Sequence, residues 1–283
     1  MLPLVRNFVV GTLKKFNIGI ASYAKLQMLE DRDRAYYRSE NDLPILMTLP
    51  ERHTVQLLSD LRQSTSQLRQ DLFVLSELDF KRGGYFVEFG ATDGVDLSNT
   101  HLLEKSYGWS GILAEPARAC HTALRANRCC HIETKCVWRE SNSVLAFDET
   151  EEGEFSTIDT FRDSDLHKDR RVKRSTYRVE TISLLDLLDK HHAPKMIDYL
   201  SIDTEGSEYE ILSHFDFSKY QFRVITCEHN CTPQRAKIYA LLASHGYIRK
   251  FEELSKYDDW YVRDTSQCNE IQTSPTCPRN PNG

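Results

Sequence analysis

Apolar and polar residues follow two different rhythms along this chain, and the change falls near residue 80. Before it the spacing is helical. In HTVQLLSDLRQSTSQLRQDLFVLSEL, residues 53–78, apolar side chains return every three or four positions with polar ones between them, which predicts amphipathic helix. The charged, turn-like EDRDRAYYRSENDLP before it separates this helix from an earlier one carrying Phe8, Val9, Val10 and Leu13 beside Lys14, Lys15 and Lys25. Residues 1–78 therefore read as a helical arm. Its first helix suits either a membrane surface or, as the more ordinary role, packing on the domain or on a second copy.

From Tyr85 onward short apolar runs alternate with helical stretches. YFVEFG is a strand, NTHLLEKSYG a helix, SGILAEP a strand, ARACHTALRANR a helix and HIETKCVW a third strand. After a polar stretch at 150–178, which reads as a lid-like insert, the alternation resumes. ISLLDLLDKH is a helix, MIDYLSID a strand, EYEILSHF a helix, FRVITCEHN a strand and PQRAKIYALLASHG a helix. YIRKFEEL and DDWYVRD follow closely enough to pair as a hairpin. Such alternation predicts parallel strands joined by helical crossovers, an α/β domain over 79–264. The polar residues 265–283 read as a disordered tail.

Bulk composition narrows the class. The net charge of -6 gives no electrostatic reason to expect a nucleic-acid partner. No apolar run approaches the length of a transmembrane helix. Arg6 interrupts the first apolar residues and no small-residue cleavage site follows, so no secretory signal is expected. Eight cysteines without any Cys-x-x-Cys speak against a zinc site or a disulfide framework, and a reducing, cytoplasmic setting is expected. Cys268 and Cys277 in the polar tail read as two free thiols, with pairing as the alternative in an oxidising compartment.

In open α/β sheets the ligand lies at the carboxyl ends of the strands. Acids stand at three of these ends: Glu88, Glu115 and Asp203. The first turn, Glu88-Phe-Gly-Ala-Thr-Asp-Gly94, lacks the Gly-x-Gly-x-x-Gly pattern of a dinucleotide turn. Two carboxylates at roughly 5 Å from a pyrophosphate would oppose it by a few kcal/mol. A ligand with hydroxyls and positive charge fits better, and S-adenosylmethionine has ribose hydroxyls, an ammonium and a sulfonium. Glu115 follows Gly90 at about the interval at which a second-strand acid accepts from a ribose. Gly90 allows close backbone approach and Gly94 starts the helix. Asp93 either meets the ammonium, directly or through water, or caps the next helix.

These residues carry a resemblance. YFVEFGATDGVDLSNTHLLEKSYGWSGILAEP with ALRANR, and ISLLDLLDKHHAPKMIDYLSIDTEGSEYEIL, resemble the two conserved blocks of the FkbM-type methyltransferases. The resemblance spans about 83–264 and leaves the helical arm outside. It implies a class I methyltransferase fold, a Rossmann-like sheet of seven mostly parallel strands with an antiparallel last strand. It also implies S-adenosylmethionine and methyl transfer to a hydroxyl of a sugar, glycan or natural product. The cofactor residues it implies are Glu88, Gly90, Ala91, Asp93, Gly94, Ser98, Asn99, Glu115, Pro116 and Asp203. Where many class I enzymes place an acid after the third strand, this chain has Cys136 and Val137, which implies adenine held by backbone and packing.

A hydroxyl needs a general base, a metal or tight positioning to attack a sulfonium. SIDTEGSEYE and TCEHN offer Asp203, Glu228, His229 and Asn230 at neighbouring strand ends, an arrangement similar to metal-dependent catechol methyltransferases. Asp203, Glu228 and His229 are the catalytic candidates, and the same three are candidate ligands for magnesium or manganese. Three roles stay open: metal ligand for Asp203, base for His229, or acids that only shape the cofactor pocket. Glu205 before Gly206 reads as a cap for the following helix. His191 and His192 read as helix-end residues, and His101, His121 and His245 as surface ones. The basic run Lys168–Arg174 suits either an anionic substrate or a solvated loop. The arm, with no convergent polar set, is expected to serve assembly. Two rival functions are a nicotinamide-dependent oxidoreductase, against which Glu88 and Asp93 speak, and a non-catalytic cofactor-binding scaffold.

Overall fold

The computed structural model describes residues 25, 28, 39–150, 157–158 and 174–264. The first helix with Phe8 to Lys15, the basic run from Lys168 up to Lys173, and the tail with Cys268 and Cys277 lie outside the described residues.

Five parallel strands, four of them buried and one a short, partly exposed edge strand, make up most of a seven-stranded sheet. They are β1 (Tyr85–Phe89), β2 (Ser110–Ala114), β3 (His131–Glu133), and, later in the chain, β8 (Met196–Ile202) and β9 (Gln221–Glu228). These pair in parallel, as runs apolar on both faces should. The last two members are β10 (Tyr247–Lys250) and β11 (Asp258–Arg263), and the order across the sheet is β10-β11-β9-β8-β1-β2-β3. β11 runs antiparallel to both of its neighbours, so the expected hairpin and antiparallel last strand are present. This is the class I methyltransferase topology.

Period-2 alternation sends each strand's side chains to two different cores. Val87, Phe89, Leu200, Ile202 and Ile225 face α6 (Leu184–Lys190), α7 (Glu208–Ser213) and α8 (Gln234–Ser244). Phe86, Leu113, Tyr199, Val224 and Trp260 face α1 (Asp42–Thr48), α2 (Thr54–Asp60), α3 (Gln70–Glu77), α4 (His101–Tyr107), α5 (His121–Asn127) and α9 (Glu252–Ser255). In α3, Leu72, Phe73, Val74 and Leu75 are all wholly buried, and Phe73 stacks on Trp260 with centroids 4.7 Å apart. Burial of such side chains contributes about 1.5–3 kcal/mol each. The described helices of the arm thus share one core with the sheet.

The structure departs from the sequence expectations in three places. Residues 53–78 form two helices, α2 and α3, because Ser64, Thr65 and Ser66 turn their hydroxyls to Asp71, Ser98 and Asn99 and break the ladder between them. The third strand ends at Glu133, whose carboxylate accepts from the Thr134 and Lys135 amides and turns the chain. The remainder becomes β4 (Cys136–Trp138), which joins a second, four-stranded sheet of order β4-β7-β5-β6. This sheet contains β5 (Val144–Thr150), β6 (Thr157–Ile158) and β7 (Arg174–Ser183). The described ends of the 150–178 insert are therefore strand, with Thr150 paired to Arg174. Tyr177 and Val179 alternate inward onto Phe147, Ile158 and Trp138, a period hidden among the charged residues between them.

Candidate functional site

β1 ends where the backbone of β8 comes closest. A Cβ on Gly90 would stand 2.1 Å from the Asp203 carbonyl oxygen, and its φ is +73°, so glycine is required there on both counts. Gly94, at φ +79°, is pressed in the same way against Arg128 and Leu124. The turn from Gly90 to Asn99 is thereby held flat against the sheet edge.

The acids of this region are satisfied by the protein itself. Glu88 is buried and accepts from the Asn99 amide at 2.7 Å and from the hydroxyls of Ser98 and Thr100. Arg128, wholly buried, approaches Glu88 at 3.8 Å and donates to Glu104, the Gly94 carbonyl, Ser98 and Thr100. Asp93 accepts from the Val95 and Asp96 amides and so closes the turn; it caps no helix and Gly94 starts none, because the next helix, α4, begins only at His101. The Ala91 carbonyl accepts from Gly94 to close the turn. Asn99 bonds Ser201 and Ser66 through its amide.

Glu115, at the end of β2, accepts from the Thr92 amide at 2.8 Å and the Ala117 amide at 2.7 Å. It has no Lys or Arg among its partners, and burial pushes its carboxyl up to about 7. Each of its oxygens keeps a second lone pair, which suits donors such as ribose hydroxyls. Cys136 and Val137 are buried at the start of the second sheet, and the Cys136 thiol is pushed up to about 12 by burial and by the Glu115 charge, which places it beside that acid. The Pro116 carbonyl accepts from Tyr177 of β7, tying the second sheet to the same edge.

A different set gathers at the ends of β8, β9 and β11. Strand register puts Ser201 beside Thr226 and Glu228 opposite Asp258, so Asp203, Glu228 and Asp258 follow in line on the α3 face of the sheet. Asp203, Glu205 and Glu228 offer ligand atoms that all lie within 4.8 Å of one another. Burial and the charges of Asp203, Glu205 and Glu208 hold the Glu228 carboxyl well above its ordinary value. Asp258, also buried, is pushed up to about 8, and its Oδ2 accepts from Gln70 and Trp260, each at 3.1 Å.

His229 does not join this group. Neighbouring residues of an extended chain point to opposite faces, and His229 lies with Asp259, 3.7 Å from its carboxylate, on the face of Tyr261. Its Nδ1 accepts from the Cys231 amide and burial lowers its pKa, favouring the neutral ring. Glu205 takes the expected place of His229, with Asn230 donating to it at 3.3 Å. Nor does Glu205 cap α7. Glu208, the first residue of α7, instead accepts from the Thr204 and Gly206 amides and fixes the loop that leads into the helix.

Arg128, Gln70 and Asp258 were not singled out from the sequence, and Glu205 only as a helix cap. For Asp258 a usable signal existed, since it shares the strand parity of Trp260 on the same face as Glu228, whereas Glu205 lies in a left-handed turn past the end of β8 where strand parity gives no guide. Gln70 and Arg128 act through long-range contacts that no local pattern marks.

With this geometry described, the chain's relatives can be placed. Residues 88–251 match the family model of the methyltransferase FkbM domain, more than half of the chain. The chain belongs to that family and carries an S-adenosylmethionine-dependent methyltransferase domain. No curated protein matches it. Among solved structures it is similar to a precorrin-6y C5,15-methyltransferase from Geobacter metallireducens GS-15, at 13% identity and a TM-score of 0.35, over 68% of this chain and 85% of that one. It is also similar to M. capricolum TrmK in complex with S-adenosyl-homocysteine, at 11% identity and a TM-score of 0.33, over 67% and 66%. The human methyltransferase 10 domain containing protein matches at 12% identity and 0.36, over 82% and 95%. Likeness at these scores adds nothing to the topology above. No helix among the described residues is long and apolar enough to cross a membrane.

Proposed function

We propose that this protein is an O-methyltransferase that uses S-adenosylmethionine to methylate a hydroxyl of a sugar, glycan or natural product. The observation that carries the reading is the Asp203–Glu205–Glu228 group beside the Gly90 turn, an acid set able to take up a hydroxyl's proton or to share a magnesium or manganese ion that acidifies it. The donor set fits the cofactor: Glu115 presents free lone pairs and no cation, and the turn Gly90–Asn99 holds neither Lys nor Arg to neutralise a phosphate. When bound, S-adenosylmethionine supplies a methyl group on a sulfonium, and the electron pair of the broken C–S bond stays on sulfur.

The chain's own residues do the rest. Glu115 orients the ribose through its hydroxyls. Glu88 and Arg128 hold the turn rigid, so that the acceptor and the methyl meet with little reorganisation. The acceptor's oxygen forms the new O–C bond, and its proton passes to a carboxylate of the Asp203–Glu228 pair. Transfer from labelled S-adenosylmethionine across a panel of glycans and hydroxylated metabolites tests the reading. Binding of NAD without response to S-adenosylmethionine overturns it in favour of an oxidoreductase.

Assembly through the N-terminal helices completes the proposal. α1 and α2 leave Leu43, Met47, Val55 and Leu58 exposed. Deleting residues 1–40 stops short of buried Asn41 and of the Asp42–Arg69 ion pair, so the domain core is kept. Size-exclusion chromatography is expected to show a changed oligomeric state with cofactor binding retained. An unchanged size together with lost cofactor binding overturns this part.

A further inference from the structure

The carboxylates at the ends of β8, β9 and β11 have an unresolved charge balance. Asp203, Glu205 and Glu228 lie within 4.8 Å of one another, and the causes acting on Glu228 are burial and further acids, with no Lys or Arg among them. Two buried oxygens in the same row lack any hydrogen-bond partner among the described residues: Glu228 Oε2, on a residue 8% exposed, and Asp258 Oδ1, on a residue 4% exposed. A buried carboxylate oxygen left bare is unfavourable by about 1–3 kcal/mol or more, so two of them on neighbouring strands point to a partner of positive charge. The contrast with the first turn is direct, since there a comparable burial is matched by Arg128.

We propose that Asp203, Glu205 and Glu228 bind one divalent cation of the magnesium or manganese type, and that Asp258, oriented by Gln70 and Trp260, holds a water of that cation through its bare oxygen. The donor set is all carboxylate, with neither imidazole nor thiolate in the group, which selects hard cations. Half-buried Asp203 forms the side open to solvent, where water or an acceptor oxygen completes the coordination. Asn230 holds Glu205 in place from the β9 side. The ligand set excludes His229, whose ring nitrogens face Cys231 and Asp259. The inference deepens the proposed methyl transfer by assigning the ion that acidifies the acceptor, but cation binding is measurable without that reaction.

The test is titration of the full chain with manganese alone, followed by electron paramagnetic resonance, with magnesium as competitor. One saturable manganese per chain, displaced by magnesium, is expected. Glu228→Gln and Glu205→Gln, which keep side-chain shape, should weaken binding more than about 100-fold, and Asp258→Asn about 10- to 100-fold. His229→Gln should bind as the wild type does. Circular dichroism confirms that each variant is folded, and S-adenosylhomocysteine calorimetry is run in parallel. No saturable manganese in folded wild-type protein overturns the cation site, as does binding that survives both glutamate substitutions. If the cation site fails while S-adenosylhomocysteine binds, the methyltransferase reading stands. If manganese binds as expected while S-adenosylhomocysteine does not, the reading falls and the cation site stands.

Discussion

Glu88 on β1 and Glu228 on β9 are both buried acids near the carboxyl edge of one sheet, and both point to the α3 face. Glu88 is enclosed by an amide, two hydroxyls and the Arg128 guanidinium. Glu228 has acids for neighbours and one bare oxygen. The difference separates two uses of the same residue type. An acid matched by the protein's own donors fixes a loop, whereas an acid left unmatched has its binding capacity turned outward, toward something the chain does not itself contain.

The largest expected effect breaks this comparison at the level of stability. Glu88→Ala leaves Arg128 buried with one of its acids missing and strips acceptors from Ser98, Asn99 and Thr100. Removing one partner of a buried ion pair destabilises by about 3–5 kcal/mol. Glu228→Gln takes away a charge that has no cation, so stability without added metal should be unchanged or raised. Urea unfolding monitored by circular dichroism reads both. Equal losses in the two variants would show that Glu228 is as well matched as Glu88, and the contrast would end.

Next in size is the effect on cofactor affinity. Glu115→Ala should weaken S-adenosylhomocysteine binding by about 2–3 kcal/mol if both ribose hydroxyls donate to the carboxylate. The substitution also leaves the Thr92 and Ala117 amides without acceptors. Glu115→Gln is therefore measured beside it, since its carbonyl keeps one of these acceptors and its loss of affinity should be the smaller. Calorimetry at constant pH distinguishes the two. Wild-type affinity in both variants would leave Glu115 a purely structural acid, like Glu88.

Much of this layout could be read from the order of apolar runs. The strands and helices and the antiparallel hairpin of β10 with β11 follow from local pattern, and the parallel core follows from the alternation of these elements, although its pairings, like the approach of Gly90 to Asp203, join distant parts of the chain. The site was legible to the extent that it lay at strand ends. What escaped was tertiary. Glu88 stood only as a cofactor residue that the resemblance implied, and nothing local showed that Arg128 would come to it from the end of α5. His229 looked like a partner of Glu228 because the two are adjacent, yet adjacency in an extended segment means opposite faces. Gln70 belongs to the arm, which showed no convergent polar set by sequence, but folding brings it to Asp258 across 188 positions of chain. The second sheet was hidden because its inward residues alternate with charges, a period-2 signal too weak to read inside a polar stretch.

The smallest expected effect, per unit of change, is in the pH dependence of folding, and it sharpens the comparison by counting protons. Burial pushes Asp71 and Glu115 up to about 7 and Asp258 up to about 8, and holds Glu228 well above its ordinary range. In the unfolded chain these carboxyls lose their protons near 4. The folded chain therefore binds more protons than the unfolded one, and the stability this confers is lost as pH rises through the folded values. The histidines His101, His191 and His229 are held low by burial, so their contribution is complete once pH exceeds about 6.5 and no longer changes. Glu104 and Glu133, held low, contribute fully above the ordinary carboxylate range and are constant here too. Between about pH 6.5 and 8.5 the buried acids are left to act alone. Stability without metal should fall by about 1.4 kcal/mol per pH unit for each proton retained. Glu115→Gln should flatten the slope near 7. Urea midpoints across this window give the answer, and a stability that does not fall with pH would mean that these buried acids are already ionised in the folded protein.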